Sequence, residues 1–529
     1  MKNRPYIFLG LICLVALLLR MGLLLLVNNP GLPDAIHYYN LGTRLLDGQG
    51  FTIDYIWQYS HLPQSIVNPI SHWMPLPGVV AAAGMAIGGL NIHAALIFFV
   101  LAGALLPIPV FFAGRQIGLS DAGALFGAAF AIALPDMVWN SLRTDTTILN
   151  MLLLTTAIVL VTRGIQRGGW WQFVLAGILG GLSYLNRNDS ILILPTIYGA
   201  LLLYAVFGGA EFRRRVLPAG GLVTLAMLLT MAPWIARNLE LFGRWGSAET
   251  SYMFFMVDQR DHYSYGREIS LENMLAQRTP QELIGKRLFE LVAAGKQIII
   301  SLDIVLPVLI PLGLLLLWNG RKREHLLALS PALIWLMGIL VAYPLLIPYK
   351  SQSGSFEKAY LTIVPLLLPL GALAVERLIV DRRWQLGLVG LAVVVMSLNS
   401  YDVLRAETSF ADRYYATIGG LVAEVDMLPD VTGDGEIQLM VQDPYIMSYY
   451  GIRSIMIPLA SREDTLELAS RYEIDYVLFP AARPQLDPLY HGAEVDPRFV
   501  FTLSVPMPDG RFFELYALHP EIPPESTDE

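Results

Sequence analysis

Carboxylates accompanied by cationic side chains recur at one kind of position in this chain, the ends of long apolar segments. Asp34 follows the first such segment, Arg143 and Asp145 precede another, and Arg187 and Asp189 follow a third. Ionisable groups in a membrane cost about 2.5–3.5 kcal/mol at mid-bilayer on the insertion scale and by default mark function. At span ends a long side chain can reach water, so any one of these charges alone is explained by an interface anchor. Several acid–base clusters on one face instead predict a catalytic or ion-binding site.

The elements that must position these groups are membrane spans. The chain has 529 residues, of which 55% are hydrophobic and 15% charged, and its mean hydropathy is +0.52. Soluble domains are nearer about 25% charged, so this composition excludes a soluble globular protein. Apolar runs of about 20 residues, the length that spans a bilayer, recur through the first 400 residues. We predict eleven spans, near residues 7–27, 92–113, 122–139, 146–162, 170–186, 190–207, 216–236, 298–318, 326–348, 359–379 and 384–400.

Basic residues in short loops set the predicted orientation. Treating the 14 apolar residues 76–89 as a non-spanning segment places 13 Lys and Arg residues on one face, in loops near residues 2–4, 115, 163–167, 213–215, 321–323 and 382–383. That excess marks the cytoplasmic side. The chain is therefore predicted to be a multi-pass protein of the cell (plasma) membrane with a cytoplasmic N-terminus. Its acid–base clusters and its C-terminal region are predicted to be extracytoplasmic.

Two long loops stand out on the predicted outer face, residues 28–91 and 237–297. In the first, Pro33 suits an initial helical position, and an apolar stripe of Ile36, Tyr39 and Leu46 predicts a short helix in the membrane interface. Asp34 then begins that helix. The simplest interpretation of Asp34 alone is a helix-start carboxylate, favoured by capping and by the helix dipole.

The composition changes after residue 400 to that of a soluble domain. Predicted strands at 437–441, 454–458 and 475–479 alternate with helices at 410–428, 445–450 and 461–472, and a hairpin joins 499–505 to 511–518. This alternation predicts an α/β domain with a partly parallel sheet. The predicted organisation is a transmembrane domain over residues 1–400 and an extracytoplasmic α/β domain over residues 401–529.

The order of motifs on the outer face resembles the GT-C superfamily of membrane glycosyltransferases. It is most similar to the branch of protein O-mannosyltransferases and bacterial aminoarabinose transferases, which use sugars on polyprenyl-phosphate carriers. The resemblance covers roughly residues 1–400. It depends on Asp34 early in the first outer loop, on the close of that loop at residues 73–77 (WMPLP), on the Arg-x-Asp motifs at 143–145 and 187–189, and on PWxxRN at 233–238. Two positions depart from the family pattern: Ala35 stands where many relatives have Glu, and residues 72–74 (HWM) stand where they have a Glu-Lys pair.

The resemblance implies a reaction and its residues. Asp34 would be the general base that takes the proton of an acceptor hydroxyl, a contribution of roughly 10²–10⁴-fold, and direct attack would invert the anomeric centre. Asp145 would be the second carboxylate, orienting the acceptor or Asp34, although a nucleophilic role is the alternative. Cations would hold the departing phosphate, and the predicted candidates are Arg187, Arg237, Lys350 and Lys358. Residues predicted to line the substrate site are His37, Tyr38, His72, Trp73, Asp189 and Asn238.

The predicted partners are a polyprenyl-phosphate sugar donor as co-substrate, membrane lipids, and an acceptor that is a lipid, a polysaccharide or a protein. No cofactor and no nucleic acid are predicted. The scattered spacing of His61, His72 and His262 predicts no metal site. Two other classes of function stay open: a transporter or lipid flippase that uses Asp34 and Asp145 as ion or proton sites, and a membrane-anchored binding protein whose outer domain does the work.

Overall fold

The structure, a computed structural model, describes residues 4–246, 252–320, 322–350, 354–433, 435–507 and 509–521, with Lys350 described by its backbone only. The chain divides into two compact units. Unit 1 comprises Met1–Asn28, Trp73–Ser247 and Thr279–Glu407, and unit 2 comprises Asn29–His72, Ala248–Arg278 and Thr408–Glu529.

Most of the described chain is helical. The α-helices in chain order are α1 Arg4–Leu24, α2 Asp34–Leu46, α3 Leu76–Gly88, α4 Ile92–Ala95, α5 Ile97–Leu105, α6 Pro107–Gln116, α7 Asp121–Ala133, α8 Pro135–Asn140, α9 Thr146–Arg167, α10 Trp170–Asn186, α11 Ile193–Phe207, α12 Ala210–Phe242, α13 Leu271–Gln277, α14 Pro280–Ile300, α15 Leu306–Asn319, α16 Arg323–Val341, α17 Ser355–Leu361, α18 Val364–Leu378, α19 Arg382–Val425, α20 Pro444–Tyr449 and α21 Arg462–Arg471. The strands are β1 Thr52–Ile53, β2 Tyr55–Ile56, β3 Asn68–Pro69, β4 Leu439–Val441, β5 Ser454–Met456, β6 Tyr476–Phe479, β7 Phe499–Pro506 and β8 Phe512–Leu518.

Unit 1 is the membrane part of the chain. Within the described residues seven helices are long and apolar enough to cross a bilayer, and the bent pair α17–α18 makes an eighth if it is one span. Each of the eleven predicted spans is largely helical, but α7, α10 and α15 have only 13, 17 and 14 residues. The count of eleven therefore stays a prediction. The α3 helix has 13 residues, which fits the prediction that this segment does not span.

Two helices of unit 1 differ from their predicted bounds. The α12 helix continues through Pro233 and ends only at Gly243, whose φ of 66° suits glycine, so the PWxxRN motif is helical rather than the start of a loop. The predicted span at 298–318 is instead split, because α14 ends at Ile300 and a turn containing Asp303 at φ 60° precedes α15. Pro233 can lie inside α12 because proline in a membrane helix is tolerated where neighbouring helices and local adjustments satisfy the backbone hydrogen bonds.

A buried arginine that the sequence analysis did not single out lies between the packed helices of unit 1. Arg20 of α1 is fully buried, and its guanidinium donates to the Ser141 hydroxyl at 3.0 Å and to the Ile132 carbonyl at 2.8 Å. A Cβ on Gly103 would lie only 2.5 Å from the Arg20 Nε and 2.7 Å from the Ser141 Cβ, so a larger residue at this position would force these side chains to move. The small residue thus makes room for the charged side chain between packed helices.

Unit 2 is built on a six-stranded sheet in the order β2-β5-β4-β6-β8-β7. The pairs β2–β5, β5–β4 and β4–β6 are parallel, whereas β6–β8 and β7–β8 are antiparallel. One buried cluster contains residues of α19, α20 and α2, and a second contains residues of α21. The predicted α/β fold with a partly parallel sheet is confirmed.

The grouping of segments into units differs from the predicted division at residue 400. Strand β2 lies in the first outer loop, which was assigned to the transmembrane domain, yet it pairs with β5 of the C-terminal region. Ile36 of α2 is likewise fully buried in a cluster with Tyr415 and Ile418 of α19. Helix α19 itself runs without a break from Arg382 to Val425. Contacts distant in sequence create this grouping, so local composition did not indicate it.

Candidate active site

Asp145 is the centre of a buried ion cluster in unit 1. It caps the N-terminus of α9, and the Thr146 backbone N–H and hydroxyl both donate to its Oδ1. Lys358 Nζ lies 3.0 Å from Oδ1 and 2.7 Å from Oδ2 of this carboxylate, and Arg143 Nη2 lies 3.8 Å from Oδ2. The Asp145 side chain is 0% exposed. A carboxylate held by so many donors is suited to fixing cations in place.

A second ion pair joins this cluster through Thr146. Arg187 donates to Asp189 in a bidentate arrangement, from Nε at 3.0 Å and Nη2 at 2.5 Å, and the Tyr343 hydroxyl donates to the same carboxylate at 2.5 Å. Arg187 Nη1 also donates to the Thr146 hydroxyl at 3.3 Å. The structure therefore brings together Asp145, Lys358, Arg187 and Asp189, which are up to 213 residues apart. We call these four residues, with Arg143, the ion cluster.

The other two predicted phosphate ligands, Arg237 and Lys350, are not among the residues named as the ion cluster. Arg237 lies over the rings of Trp234 and Phe242 on its own helix, at 4.3 Å and 5.7 Å from their centroids. Its Nη1 donates to the Asn238 side-chain oxygen at 3.0 Å. The side chain of Lys350 lies outside the described part of the chain. Roles for Arg237, Asn238 and Lys350 in substrate binding therefore stay predictions.

Asp34 belongs to unit 2, where it is the first residue of α2. Pro33 occupies the N-cap position, one residue before its predicted place, and α2 has no side-chain cap. The predicted interfacial stripe is not uniform, because Ile36 is fully buried while Leu46 is 39% exposed. One face of α2 packs into the protein, which is why the sequence of this helix is amphipathic. Asp34 and Asp145 belong to different units, and the role of Asp145 in orienting the acceptor or Asp34 stays a prediction.

His37 lies one helical turn after Asp34 and is fully buried. Its Nδ1 is 2.5 Å from the Tyr55 hydroxyl, and its ring makes an edge contact with Tyr38 at 5.0 Å. Burial lowers the pKa of His37 to about 3, against the opposing effect of the Asp34 charge, with a smaller contribution from His72. Since its ordinary pKa is 6.5, His37 is neutral at physiological pH and acts as a hydrogen-bonding group beside Asp34.

Three rings form a compact group in unit 2, which we call the aromatic trio: Trp57, His72 and His262. The Trp57 centroid lies 4.7 Å from that of His72 and 5.4 Å from that of His262. His262 is fully buried, whereas Trp57 and His72 are partly exposed. Trp73, the next residue along the chain, belongs to unit 1 and is also partly exposed. Among the described residues no group of three or more His, Cys, Asp or Glu is arranged to hold a metal ion.

Several residues at these sites were not predicted. Tyr343 and Thr146 lie within or at the end of apolar segments, where a lone hydroxyl gives little signal. The sequence around Tyr55 gives no signal that distinguishes it from other strand residues. Only packing between distant segments reveals that each bonds a predicted site residue.

With this geometry established, comparisons with known proteins identify similar ones. A family model described as dolichyl-phosphate-mannose-protein mannosyltransferase matches residues 69–234. ArnT from Cupriavidus metallidurans in the apo state matches with a TM-score of 0.60 and 15% identity, over 98% of this chain and 99% of that chain. The same protein bound to undecaprenyl phosphate matches with a TM-score of 0.62 and 15% identity, over 96% and 97%. An oligosaccharyltransferase from Archaeoglobus fulgidus in the apo form matches with a TM-score of 0.51 and 13% identity, over 97% and 74%. No curated protein sequence matches significantly.

These matches confirm the predicted resemblance to the GT-C superfamily and the predicted fold class. The chain has a GT-C-like fold, with a helical membrane part and a sheet-containing C-terminal region. The chain is a multi-pass membrane protein. The family-model match also supports the predicted glycosyltransferase activity, whereas the structural matches show the fold.

Proposed function

We propose that this protein is an integral-membrane glycosyltransferase that moves a sugar from a polyprenyl-phosphate carrier to an acceptor hydroxyl on the extracytoplasmic face of the plasma membrane. Asp34 acts as the general base, and the reaction inverts the anomeric centre. The family-model match and the similarity to ArnT bound to undecaprenyl phosphate support the lipid-linked donor. The ion cluster of unit 1 is the observation that carries the proposal.

The cluster is suited to an anionic leaving group. Its three cations, Arg143, Arg187 and Lys358, are balanced by Asp145, Asp189 and the neighbouring Glu357, whose carboxylate interacts with Lys358 and Arg143. Paired charges can be held in an apolar unit at a lower cost than lone ones. The carboxylates fix the cations before the substrate arrives. When the bond from the anomeric carbon to the phosphate oxygen breaks, the phosphate gains negative charge, and cations already in place stabilise that charge without reorganising.

The remaining chemistry needs only one proton transfer. The acceptor oxygen forms a bond to the anomeric carbon, the bond to the phosphate oxygen breaks, and the acceptor proton passes to the Asp34 carboxylate. His37, which is hydrogen-bonded to Tyr55, is a polar but uncharged neighbour of that base. Asp145 then orients the acceptor and does not take its proton. Its oxygens already accept hydrogen bonds from Thr146 and form an ion pair with Lys358.

Direct measurement of carrier binding tests this proposal. Purified full-length protein in nanodiscs is titrated with undecaprenyl phosphate, and Arg187→Ala and Arg187→Lys are compared with wild type. Loss of a charge-assisted contact worth about 1.5–3 kcal/mol raises Kd by about 10- to 100-fold in the Ala variant. The Lys variant recovers part of the binding, since it keeps the charge but loses the bidentate fork.

The matched control is Arg214→Ala, an exposed arginine of α12. Its Kd should equal that of wild type. Unchanged binding in Arg187→Ala, with the variant folded as wild type by circular dichroism, would refute the role of the ion cluster. Arg237→Ala measured in parallel tests the separate prediction for that residue.

A further inference from the structure

The aromatic trio lies where ligand sites of α/β domains are usually found. Trp57 directly follows β2, Asp443 follows β4 by two residues, and Arg483 follows β6 by four. Strands β2, β5, β4 and β6 are parallel, so these residues share one edge of the sheet, at the carboxyl ends of the strands. Ligands of open α/β sheets bind in the crevice outside those ends.

The trio is built rigidly. His262 lies in a 3₁₀ helix, Gln259–Tyr263, whose start carries a capping box formed by Asp258 and Asp261. Its carbonyl accepts from the Tyr59 backbone N–H at 3.0 Å. The buried His262 ring therefore backs the partly exposed Trp57 ring at 5.4 Å. A fixed, partly exposed indole is a surface on which a flat apolar face can stack with little loss of conformational entropy.

A few oriented polar groups stand at the same edge. The Asp443 carboxylate accepts from the Tyr414 hydroxyl at 2.5 Å and from the Tyr445 hydroxyl at 2.7 Å. The Tyr445 ring contacts the ring of Tyr55, with centroids 6.4 Å apart, and Tyr55 is the residue that bonds His37 beside Asp34. Hence the predicted base and this edge are connected through side chains of one compact unit.

The positive charge at this edge is not arranged for phosphate. Arg483 is buried, and its guanidinium donates to the carbonyls of Ile457 and Ala482, both at 3.0 Å, while lying 5.1 Å from the Tyr263 ring centroid. It is thus committed to holding the loop after β6. Aromatic walls with a carboxylate and tyrosine hydroxyls match a neutral, polyhydroxylated ring, whose C–H face packs on an aromatic ring and whose hydroxyls bond the polar groups.

We infer that the aromatic trio and Asp443 form a saccharide-binding subsite that holds a sugar ring of the acceptor. The inference rests on the proposed function and specifies the acceptor class as a carbohydrate-bearing molecule. One acceptor sugar stacks on Trp57, and hydroxyls of the same or the adjoining sugar bond Asp443. The subsite supplies binding and orientation, and Asp34 supplies the base.

Ligand-detected NMR tests this subsite without requiring turnover. Full-length protein in nanodiscs is mixed with a panel of methyl glycosides of hexoses and hexosamines, and saturation transfer to the ring protons is recorded. At least one glycoside should receive saturation on one face of its ring. The signal should be lost in Trp57→Ala, recovered largely in Trp57→Phe, and unchanged in Phe501→Ala, an exposed aromatic of β7 in the same unit.

Each outcome separates the subsite from the proposed function. Saturation of no glycoside by wild type, equal saturation by Trp57→Ala, or competition only by Ser/Thr peptides would overturn the saccharide subsite, even if carrier binding and transfer are intact. Unchanged carrier binding in the folded Arg187→Ala variant, with glycoside binding retained, would instead count against the proposed function alone. Where transfer is measurable, Trp57→Phe should retain acceptor KM and Trp57→Ala should raise it about tenfold with donor Kd unchanged, the effect of about 1.4 kcal/mol of lost stacking.

Discussion

The ion pair between Lys358 and Asp145 makes a quantitative prediction about the stability of unit 1. Asp145 is 0% and Lys358 17% exposed, and Lys358 Nζ contacts both carboxylate oxygens. Lys358→Met removes the cation and leaves a buried carboxylate. Breaking a buried pair in this way costs about 3–5 kcal/mol. We expect the lower end of that range, because Thr146 still donates to Asp145 and Arg143 remains 3.8 Å away.

The complementary changes carry different costs. Asp145→Asn retains a side-chain oxygen for the α9 cap and leaves a lysine with some access to water, so it should cost about 1 kcal/mol. The double variant Asp145→Asn/Lys358→Met leaves neither member of the pair charged, and it should be about as stable as Asp145→Asn alone. The coupling energy of the pair is then about 3 kcal/mol, and the second substitution rescues the first.

The assay is a double-mutant cycle on the unfolding midpoint of the purified full chain, measured by circular dichroism in an SDS titration. The expected order of stability is wild type, then Asp145→Asn together with the double variant, then Lys358→Met. Arg115→Met is the control, because its pair with Asp121 is exposed at 41% and 58% and should contribute only about 0–1 kcal/mol. A double variant that is less stable than Lys358→Met would refute the argument that an unpaired buried carboxylate causes the loss.

Three further predictions concern the base, its neighbour and the topology. Asp34→Asn should lower transfer by at least about 10²-fold in a radiolabelled-sugar assay while changing stability only by a helix-dipole contribution of about 0.3–1 kcal/mol; near-normal transfer would exclude Asp34 as the base. Because burial lowers the pKa of His37 to about 3 from 6.5, the unfolded chain binds an extra proton between those values, and stability should fall as pH drops through that window. Thermal unfolding at pH 4–7 should show a flatter dependence in His37→Gln, and identical slopes would contradict the neutral buried imidazole. Reporter fusions at the C-terminus should score as extracytoplasmic, and a cytoplasmic signal would overturn the orientation.

The sequence alone determined the class of this protein and most of its local elements. Membrane spans can be predicted from sequence because the hydrocarbon core requires long uninterrupted apolar runs. Strands of the C-terminal region can be predicted because short segments of β-forming residues are bounded by turn residues. The predicted strands at 454–458 and 475–479 correspond to β5 and β6, and Ser461 caps α21 by accepting from the Asp464 backbone N–H. These elements could be predicted because the residues that define each of them are close together in the sequence.

Only the tertiary structure decided which distant groups meet. Lys358 was one of four candidate cations of equal standing, and its pairing with Asp145 depends on how helices 213 residues apart in sequence pack. Strand β2 has two residues, too short for a pattern, and joins the C-terminal sheet through its pairing with β5. The course of α12 through Pro233 and the break between α14 and α15 also differ from the bounds that hydropathy predicts. Local propensity acts over a turn or a strand, whereas these choices depend on burial and pairing across the whole fold, which no short segment encodes by itself.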